Sequence, residues 1–297
     1  MLQSRSEKIA NYIIIGLLIM FCFTVLYPFL NILAISFNVG TDTQKGGITL
    51  WPRAFTTENY YVVLHDSRLL NSFFISVART VLGTASHIFF TAMFGYAMSK
   101  KYLLNRKFYM IFSIFTMYFS GGLIPVFLLF RDLKLIDTFW VMVIPNIISV
   151  WDMIIFRTFF SELPVELEES AKLDGCNDYL YYFKIAIPLS TPVIAAVSVF
   201  NAIYHWNSWF DAAVFINNEK LLPIQTMLNN IINANTSAQM LMEMNASAQE
   251  LISKRQQFTS KSLVSAAMMV TTIPIIFVYP FAQKYFTKGI MVGSLKG

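Results

Sequence analysis

From Ser161 to Pro188 the chain reads Ser-Glu-Leu-Pro-Val-Glu-Leu-Glu-Glu-Ser-Ala-Lys-Leu-Asp-Gly-Cys-Asn-Asp-Tyr-Leu-Tyr-Tyr-Phe-Lys-Ile-Ala-Ile-Pro, a dense run of charge in a sequence only 13% charged. Ser161 can cap a helix whose first turn accepts Pro164. Leu163, Leu167 and Ala171 form one stripe at i, i+4, i+8, while Glu166, Glu168, Glu169 and Lys172 face other directions. Asp174-Gly175 stops that helix, because glycine takes the left-handed C-terminal position without a Cβ penalty. A second short helix then carries Tyr179, Tyr182, Phe183 and Ile187, and Pro188 follows. Two short amphipathic helices bent at a glycine make a rigid knob. The chemistry it offers is docking, by insertion into a groove on another protein.

Catalytic chemistry is thinly supplied. The chain has no Gly-x4-Gly-Lys-Ser/Thr with which to cradle a nucleotide of its own. His65, His87 and His205 lie far apart, outside any His-Glu-x-x-His pattern, and read as packed or solvated single imidazoles. No Ser, Cys or Lys stands in a nucleophile motif, and Cys22 and Cys176 do not suggest a disulfide. Two charges are harder to dismiss, because Asp152 and Arg79 fall within apolar stretches where an ionised group needs a reason to stay. Either Asp152 lines a watery cavity, or it pairs with Arg79 as a structural bridge, the arrangement preferred from the sequence.

The elements that must position these groups follow from composition. Charged residues are about half as frequent as in a soluble domain, mean hydropathy is +0.56, and 28 Phe, 14 Tyr and 5 Trp crowd 297 residues. These figures exclude a disordered chain, a coiled coil and a nucleic-acid-binding domain, and they predict an integral membrane protein. Uncharged stretches of 20 to 33 residues follow Lys8, Arg79, Lys107, Lys184 and Lys261. A further stretch spans the membrane if it tolerates Asp152 and if Arg157 snorkels to an interface. Six helices are predicted, near 11–37, 70–98, 108–130, 139–160, 186–208 and 263–286, in one domain over 1–297. The run Leu221–Met242 is rejected as a span because its Asn and Gln amides would lack partners in lipid. Arg5 and Lys8 precede the first run, but its length and Tyr27-Pro28 make it a retained span rather than a leader. Basic residues are about twice as dense in 1–10, 99–107, 162–185 and 287–297 as in the outer segments 38–69, 131–138 and 209–262, which predicts both termini inside. Within 38–69, residues 55–64 read as a short surface helix capped at Thr56 or Thr57.

The knob resembles a known motif. Permease subunits of ABC importers carry Glu-Ala-Ala, three residues, Gly, nine residues, Ile-x-Leu-Pro, and here Glu169-Ser170-Ala171, Gly175 and Ile185-Ala186-Ile187-Pro188 keep both spacings. Ser170 and Ile187 depart from the pattern by small changes. More of the chain is similar to the second, six-span member of the maltose-type carbohydrate permease heterodimer. Asn71-Ser-Phe, Gly95-Tyr-Ala-Met-Ser-Lys, Trp206-Asn207 and the closing Pro280-Phe-Ala-Gln-Lys-Tyr-Phe-Thr-Lys-Gly-Ile-Met-Val-Gly-Ser-Leu-Lys-Gly297 carry the likeness. It is greatest to the branch that handles complex oligosaccharides, including pectin- or uronate-derived ones.

The resemblance implies an all-α, six-span type I ABC importer permease fold in a prokaryotic cytoplasmic membrane. It implies a second permease as heterodimer partner, two cytoplasmic ATPases that hold the ATP and Mg, an extracytoplasmic solute-binding protein and a carbohydrate substrate. The chain itself would bind no cofactor and catalyse nothing. The coupling loop 162–188, with Glu168, Glu169, Ser170, Ala171, Asp174, Gly175, Ile185 and Pro188, would seat in one ATPase. Glu169 would pair with a basic groove residue there, or simply cap and solvate its helix. The tail with Gly289, Gly293, Lys296 and Gly297 would reach between the ATPases or fray. Sugars stack on aromatic faces and exchange hydrogen bonds with amides and carboxylates. Asn146, Asp152, Asn201, Tyr204, Trp206, Asn207 and Trp209 are therefore the candidate pathway residues, the aromatics among them also suiting an interfacial belt. The segment 209–262 would receive the binding protein. Two other classes fit less well: an ion-coupled secondary transporter centred on Asp152 and Arg79, and a membrane scaffold that has no need of the Gly175 knob.

Overall fold

A computed structural model describes residues 5–244 and 261–294, with side chains for 8–234, 261–278, Pro280 and Gln283. Every regular element among them is helical, and the β contact is an isolated bridge between Asn38 and Phe55. Chain contacts divide into two compact units, residues 1–70 with 228–273 and residues 71–227 with 274–297.

The first unit contains α1 (Arg5–Ser36), whose 32 residues make a helix about 48 Å long. None of its apolar window is buried within the chain. A helix apolar on every face belongs in hydrocarbon or against another apolar surface. The segment that follows folds around the buried Asn38. Its amide nitrogen bonds Asp42 and Thr43 at 3.1 and 3.0 Å, and its oxygen accepts from the Ala54 amide at 2.8 Å. Asn59 of α2 (Glu58–His65) returns to the Ser36 and Asn38 carbonyls at 2.9 Å. The hydroxyl at the start of α2 comes from Thr56, which accepts from the Glu58 amide at 3.1 Å.

The second unit is organised on α3 (Ser67–Ser99), which has no internal proline and crosses as one piece. The other predicted spans of this unit are broken, which a count of uncharged residues could not show. The third becomes α4 (Arg106–Tyr118) and α5 (Leu123–Asp132), bent by 111° where Ser120-Gly121-Gly122 interrupts helical propensity. The fourth begins as two 3₁₀ turns, Phe139–Met142 and Ile144–Asn146, and becomes α6 (Val150–Ser161) after a 45° bend. After the knob helix α7 (Val165–Leu173), the fifth is α8 (Asp178–Leu189) and α9 (Thr191–Asn207), bent by 78° at Ser190 between Pro188 and Pro192. Among the described residues three helices are long and apolar enough to cross a membrane, and up to six spans result if each bent pair counts as one.

The short α10 (Phe210–Phe215) precedes α11 (Ile224–Met244), the segment rejected above as a span. It is helical, yet it is not among the helices apolar enough to cross. The last helix, α12 (Lys261–Ser294), continues past the predicted end at 286, so Gly289 and Gly293 lie within it. Lys296 and Gly297 lie outside the described residues.

Candidate coupling and translocation site

The knob is built on a Schellman closure. Gly175 has φ +79°, its amide bonds the Lys172 carbonyl at 3.0 Å, and the Cys176 amide reaches the Ala171 carbonyl at 2.9 Å. Those bonds satisfy the end of α7 and turn the chain toward α8. Asn177 then caps α8 by accepting from the Leu180 amide at 2.9 Å. The beginning of α7 differs from the sequence expectation. Ser161 ends α6, with its hydroxyl on the Arg157 carbonyl at 2.8 Å, and Pro164 occupies the N-cap. Proline at 164 fixes an extended entry, which moves the helix start to Val165.

The foot of the knob is an aromatic core. Ala171, Tyr181, Tyr182 and Ala186 are buried together with Ala92 and Tyr96 of α3, Phe156 and Phe160 of α6, and Val197 of α9. The Tyr96 ring lies 4.8 Å from Tyr182 and 5.5 Å from Phe160. Two consecutive tyrosines can face one core because Tyr182–Ala186 is a π turn, which shifts the register that a 3.6-residue period predicts. α3 and α6 approach closely at Gly95, where an added Cβ would fall 2.7 Å from Phe156 Cβ and 3.0 Å from the Met153 carbonyl oxygen.

Charge locks the same joint. Glu168 accepts from Lys100 at 2.6 Å and from Lys172 at 2.8 Å. Burial raises its carboxyl, but the two ammonium groups outweigh this and hold it below the usual carboxylate range. Lys172 is raised by its hydrogen bond to Glu168. Tyr102, pushed up to about 12 by burial and its 3.0 Å bond to Asp178, stays protonated and donates. Outward from this joint the knob presents Leu173, Tyr179, Val165 and Glu169, with Leu173 89% exposed. Glu169 makes no ion pair among the described residues. Ser170 is exposed, which explains why serine is accepted in place of alanine, whereas Ala171 is buried.

A second polar arrangement runs along one seam of α3, through Arg79, Gly83, His87, Thr91 and Gly95 at four-residue intervals. The buried Arg79 guanidinium pairs with the Asp211 carboxylate and donates to the Ser208 carbonyl at 3.0 Å. The expected bridge from Arg79 to Asp152 is therefore corrected. Arg79 lies eight residues, about 12 Å, along α3 from His87, and it is His87 that meets Asp152, Nε2 to Oδ2 at 2.9 Å. His87 Nδ1 lies 2.7 Å from the Asn146 carbonyl; a carbonyl only accepts, so Nδ1 carries a proton. Thr91 donates to the Ile147 carbonyl at 3.1 Å. Non-helical backbone at membrane depth requires such internal partners, and α3 supplies them where the fourth span is broken. Asp152 is tolerated for a further reason: Ser149 and Asp152 begin α6 as a capping pair, with the Asp152 amide 3.2 Å from the Ser149 hydroxyl.

The candidate pathway residues separate into two groups. The Tyr204 hydroxyl reaches the Asn146 side-chain oxygen at 3.4 Å, and Tyr204, Asn207 and Trp209 are exposed. Asn201 and Trp206 are buried, Trp206 with its ring edge-on to Phe73 at 5.7 Å.

Residues 87–292 match the family model described as the binding-protein-dependent transport system inner membrane component. The chain belongs to this family. The permease is 36% identical over 292 residues to the polygalacturonan/rhamnogalacturonan transport system permease protein YtcP of Bacillus subtilis, covering 98% of this chain and 99% of that one. It is 37% identical over 270 residues to protein LplC of the same organism, covering 91% and 89%. A chain from the crystal structure of a bacterial ABC transporter involved in the import of the acidic polysaccharide alginate superposes with a TM-score of 0.85 at 31% identity, covering 96% of this permease and 99% of that chain. The inner-membrane placement and the permease fold expected from the motif hold, and a secondary transporter or scaffold is set aside.

Proposed function

We propose that the permease forms half of the pathway of an ATP-driven importer and takes its stroke from a partner ATPase through the loop 162–188. The core shared by Ala171, Tyr181 and Tyr182 with α3 and α6 carries this reading, because an element rooted in two helices moves them when it is pushed. The exposed Leu173, Tyr179 and Glu169 are the surface offered to the ATPase. A second permease completes the pathway, an extracytoplasmic binding protein delivers the substrate to the face bearing 209–262, and both termini are cytoplasmic.

The substrate proposed is an oligosaccharide bearing uronate groups. Support comes from the pectin-type and alginate substrates named for the two similar proteins. Asn146 and Tyr204, with Asn207 and Trp209, would supply hydrogen bonds and an aromatic platform. Buried Asn201 and Trp206 would shape the wall behind them.

Purification of the tagged permease in mild detergent, followed by mass spectrometry, tests the coupling. A P-loop ATPase and a second permease should accompany the wild type, and the ATPase should be lost from Gly175→Pro and Glu169→Lys. Recovery of the permease alone in both cases would overturn the coupling. For the substrate, oligogalacturonate should compete for uptake in proteoliposomes where malto-oligosaccharide does not.

A further inference from the structure

A cavity of about 480 Å³ opens between the end of α3, the start of α4, the end of α6 and the first turn of α7. Five cations and two carboxylates line it, and their charges do not balance. Glu168 is already held by Lys100 and Lys172. Lys101, Arg106 and Arg157 make no ion pair among the described residues, and neither does Glu169.

Three observations indicate a missing anion. Among the described residues the Arg157 Nε is buried without a hydrogen-bond partner, and the same guanidinium meets only the Met110 sulfur, at 3.9 Å. The Tyr96 hydroxyl, on a side chain 8% exposed, also has no partner. Finally, Arg106 and Lys107 occupy the first turn of α4, no acidic residue stands there, and Asn105 makes no capping bond with its side chain. The positive end of a helix dipole facing two cations is unfavourable unless an anion lies between them. A guanidinium desolvated at Nε favours a paired anion, and phosphate is the anion whose geometry suits its fork.

We propose that this cavity holds the phosphate of an anionic glycerophospholipid from the cytoplasmic leaflet. Arg106, Arg157 and the Tyr96 hydroxyl hold the phosphate oxygens, and Lys101 meets the outer part of the headgroup. A lipid is favoured over a free anion because the cavity lies where two apolar helices end. Its wall also includes Leu163, Pro164 and Val165, the last 60% exposed, which offer an apolar seat to the glycerol and acyl chain. The cytoplasmic leaflet is where anionic lipids meet basic pockets between helices. The site is independent of the sugar reading; it rests on the proposed cytoplasmic placement of this face and shares Glu169 with the surface offered to the ATPase.

Native mass spectrometry of the full permease with its co-purifying partners tests this, after exchange into phosphatidylglycerol, phosphatidylcholine or about 5 mM inorganic phosphate, enough to fill a site of millimolar Kd. The wild type should retain one phosphatidylglycerol per chain under activation that strips phosphatidylcholine. Arg106→Gln with Arg157→Gln should cut that retention about tenfold or more, as expected for lost charge-assisted bonds. Lys101→Gln alters an exposed side chain and should lower retention by a smaller factor with unchanged thermal unfolding, so it decides the matter if the double variant fails to fold. Arg131→Gln, outside the cavity, should leave retention unchanged. Equal retention in wild type, Lys101→Gln and the folded double variant would overturn the proposal. So would displacement of the lipid by inorganic phosphate, which marks a free-anion site, or lipid retention confined to complexes that have lost the ATPase, which marks a protein carboxylate as the true occupant.

Discussion

Lys100, the residue after α3, places its ammonium 2.6 Å from the Glu168 carboxylate and 4.3 Å from the centre of the Tyr96 ring. One side chain thus joins the end of a membrane-crossing helix to the helix that carries the docking motif. Both side chains are mostly buried, 12% and 20% exposed, so the pair escapes most of the screening that weakens surface bridges.

Removing Glu168 leaves the mostly buried Lys100 without its carboxylate, and removing Lys100 leaves Glu168 with Lys172 alone. Lys100→Met and Glu168→Gln should each lower stability by about 1–3 kcal/mol. The double variant should lose less than the sum of the two. Thermal unfolding of the purified permease in detergent measures the coupling, and full additivity would show that the contact contributes nothing.

The same clamp sets a pH window. The carboxyl of Glu168 is held below 4.5, so its contribution is complete above 4.5 and is lost as pH falls through the lowered value. The ammonium of Lys172 is raised above 10.5, so its contribution is complete below 10.5 and is lost as pH rises through the raised value. The difference in melting midpoint between wild type and Glu168→Gln should therefore be flat from about pH 5 to about pH 10 and shrink in acid. A difference that grows in acid would contradict the assignment.

Gly175 is required for its backbone, since an added Cβ would meet nothing within 4 Å while φ stays at +79°. Alanine should cost about 1–2 kcal/mol and asparagine less, with valine worst of the three. ATPase recovery in pull-downs should follow the order glycine, asparagine, alanine, valine. Equal recovery from all four would show that the left-handed turn is dispensable.

Arg79 is predicted to depend on Asp211 and not on Asp152. Asp211→Asn leaves a buried guanidinium without its counter-charge and should cost about 3–5 kcal/mol, most of it recovered when Arg79→Met is added. Asp152→Asn and Arg79→Met should be additive. Coupling between Arg79 and Asp152 as strong as that with Asp211 would restore the bridge first expected from the sequence.

Much of the architecture was legible from charge-free lengths, because a bilayer demands about 20 apolar residues whatever the fold. The Gly175 turn was legible too, since Asp-Gly after an amphipathic stripe has few other uses. The breaks were not. Ser120-Gly121-Gly122 and Pro145 stand in the sequence, but whether they kink or merely weaken a helix depends on partners far away in the chain. His87 and Thr91 are those partners for residues 146–147. A signal for them was present in the recurrence of Ser72, Ser76, Arg79, Gly83, His87, Thr91 and Gly95 at three- and four-residue steps. Asp152 is the one carboxylate inside the predicted spans, so the sequence pairs Arg79 with it. Asp211 stands just beyond the end of one, where nothing in the sequence marks it as the partner of a buried cation.

The unbroken α3 has a mechanical consequence. Its neighbours in the second unit are bent at Ser120–Gly122, near Asn146 and at Ser190, and each bend interrupts the regular helix. From Arg79 to Ser99 α3 has no joint, and about 30 Å of continuous helix separates the Asp211 clamp from the Glu168 clamp. A stiff rod fixed at both ends delivers at one end the displacement it receives at the other. Under the stroke proposed above, α3 is the push-rod of the unit and the bent helices are its hinges, so a proline placed near Phe89 should disconnect the two ends while leaving each clamp intact.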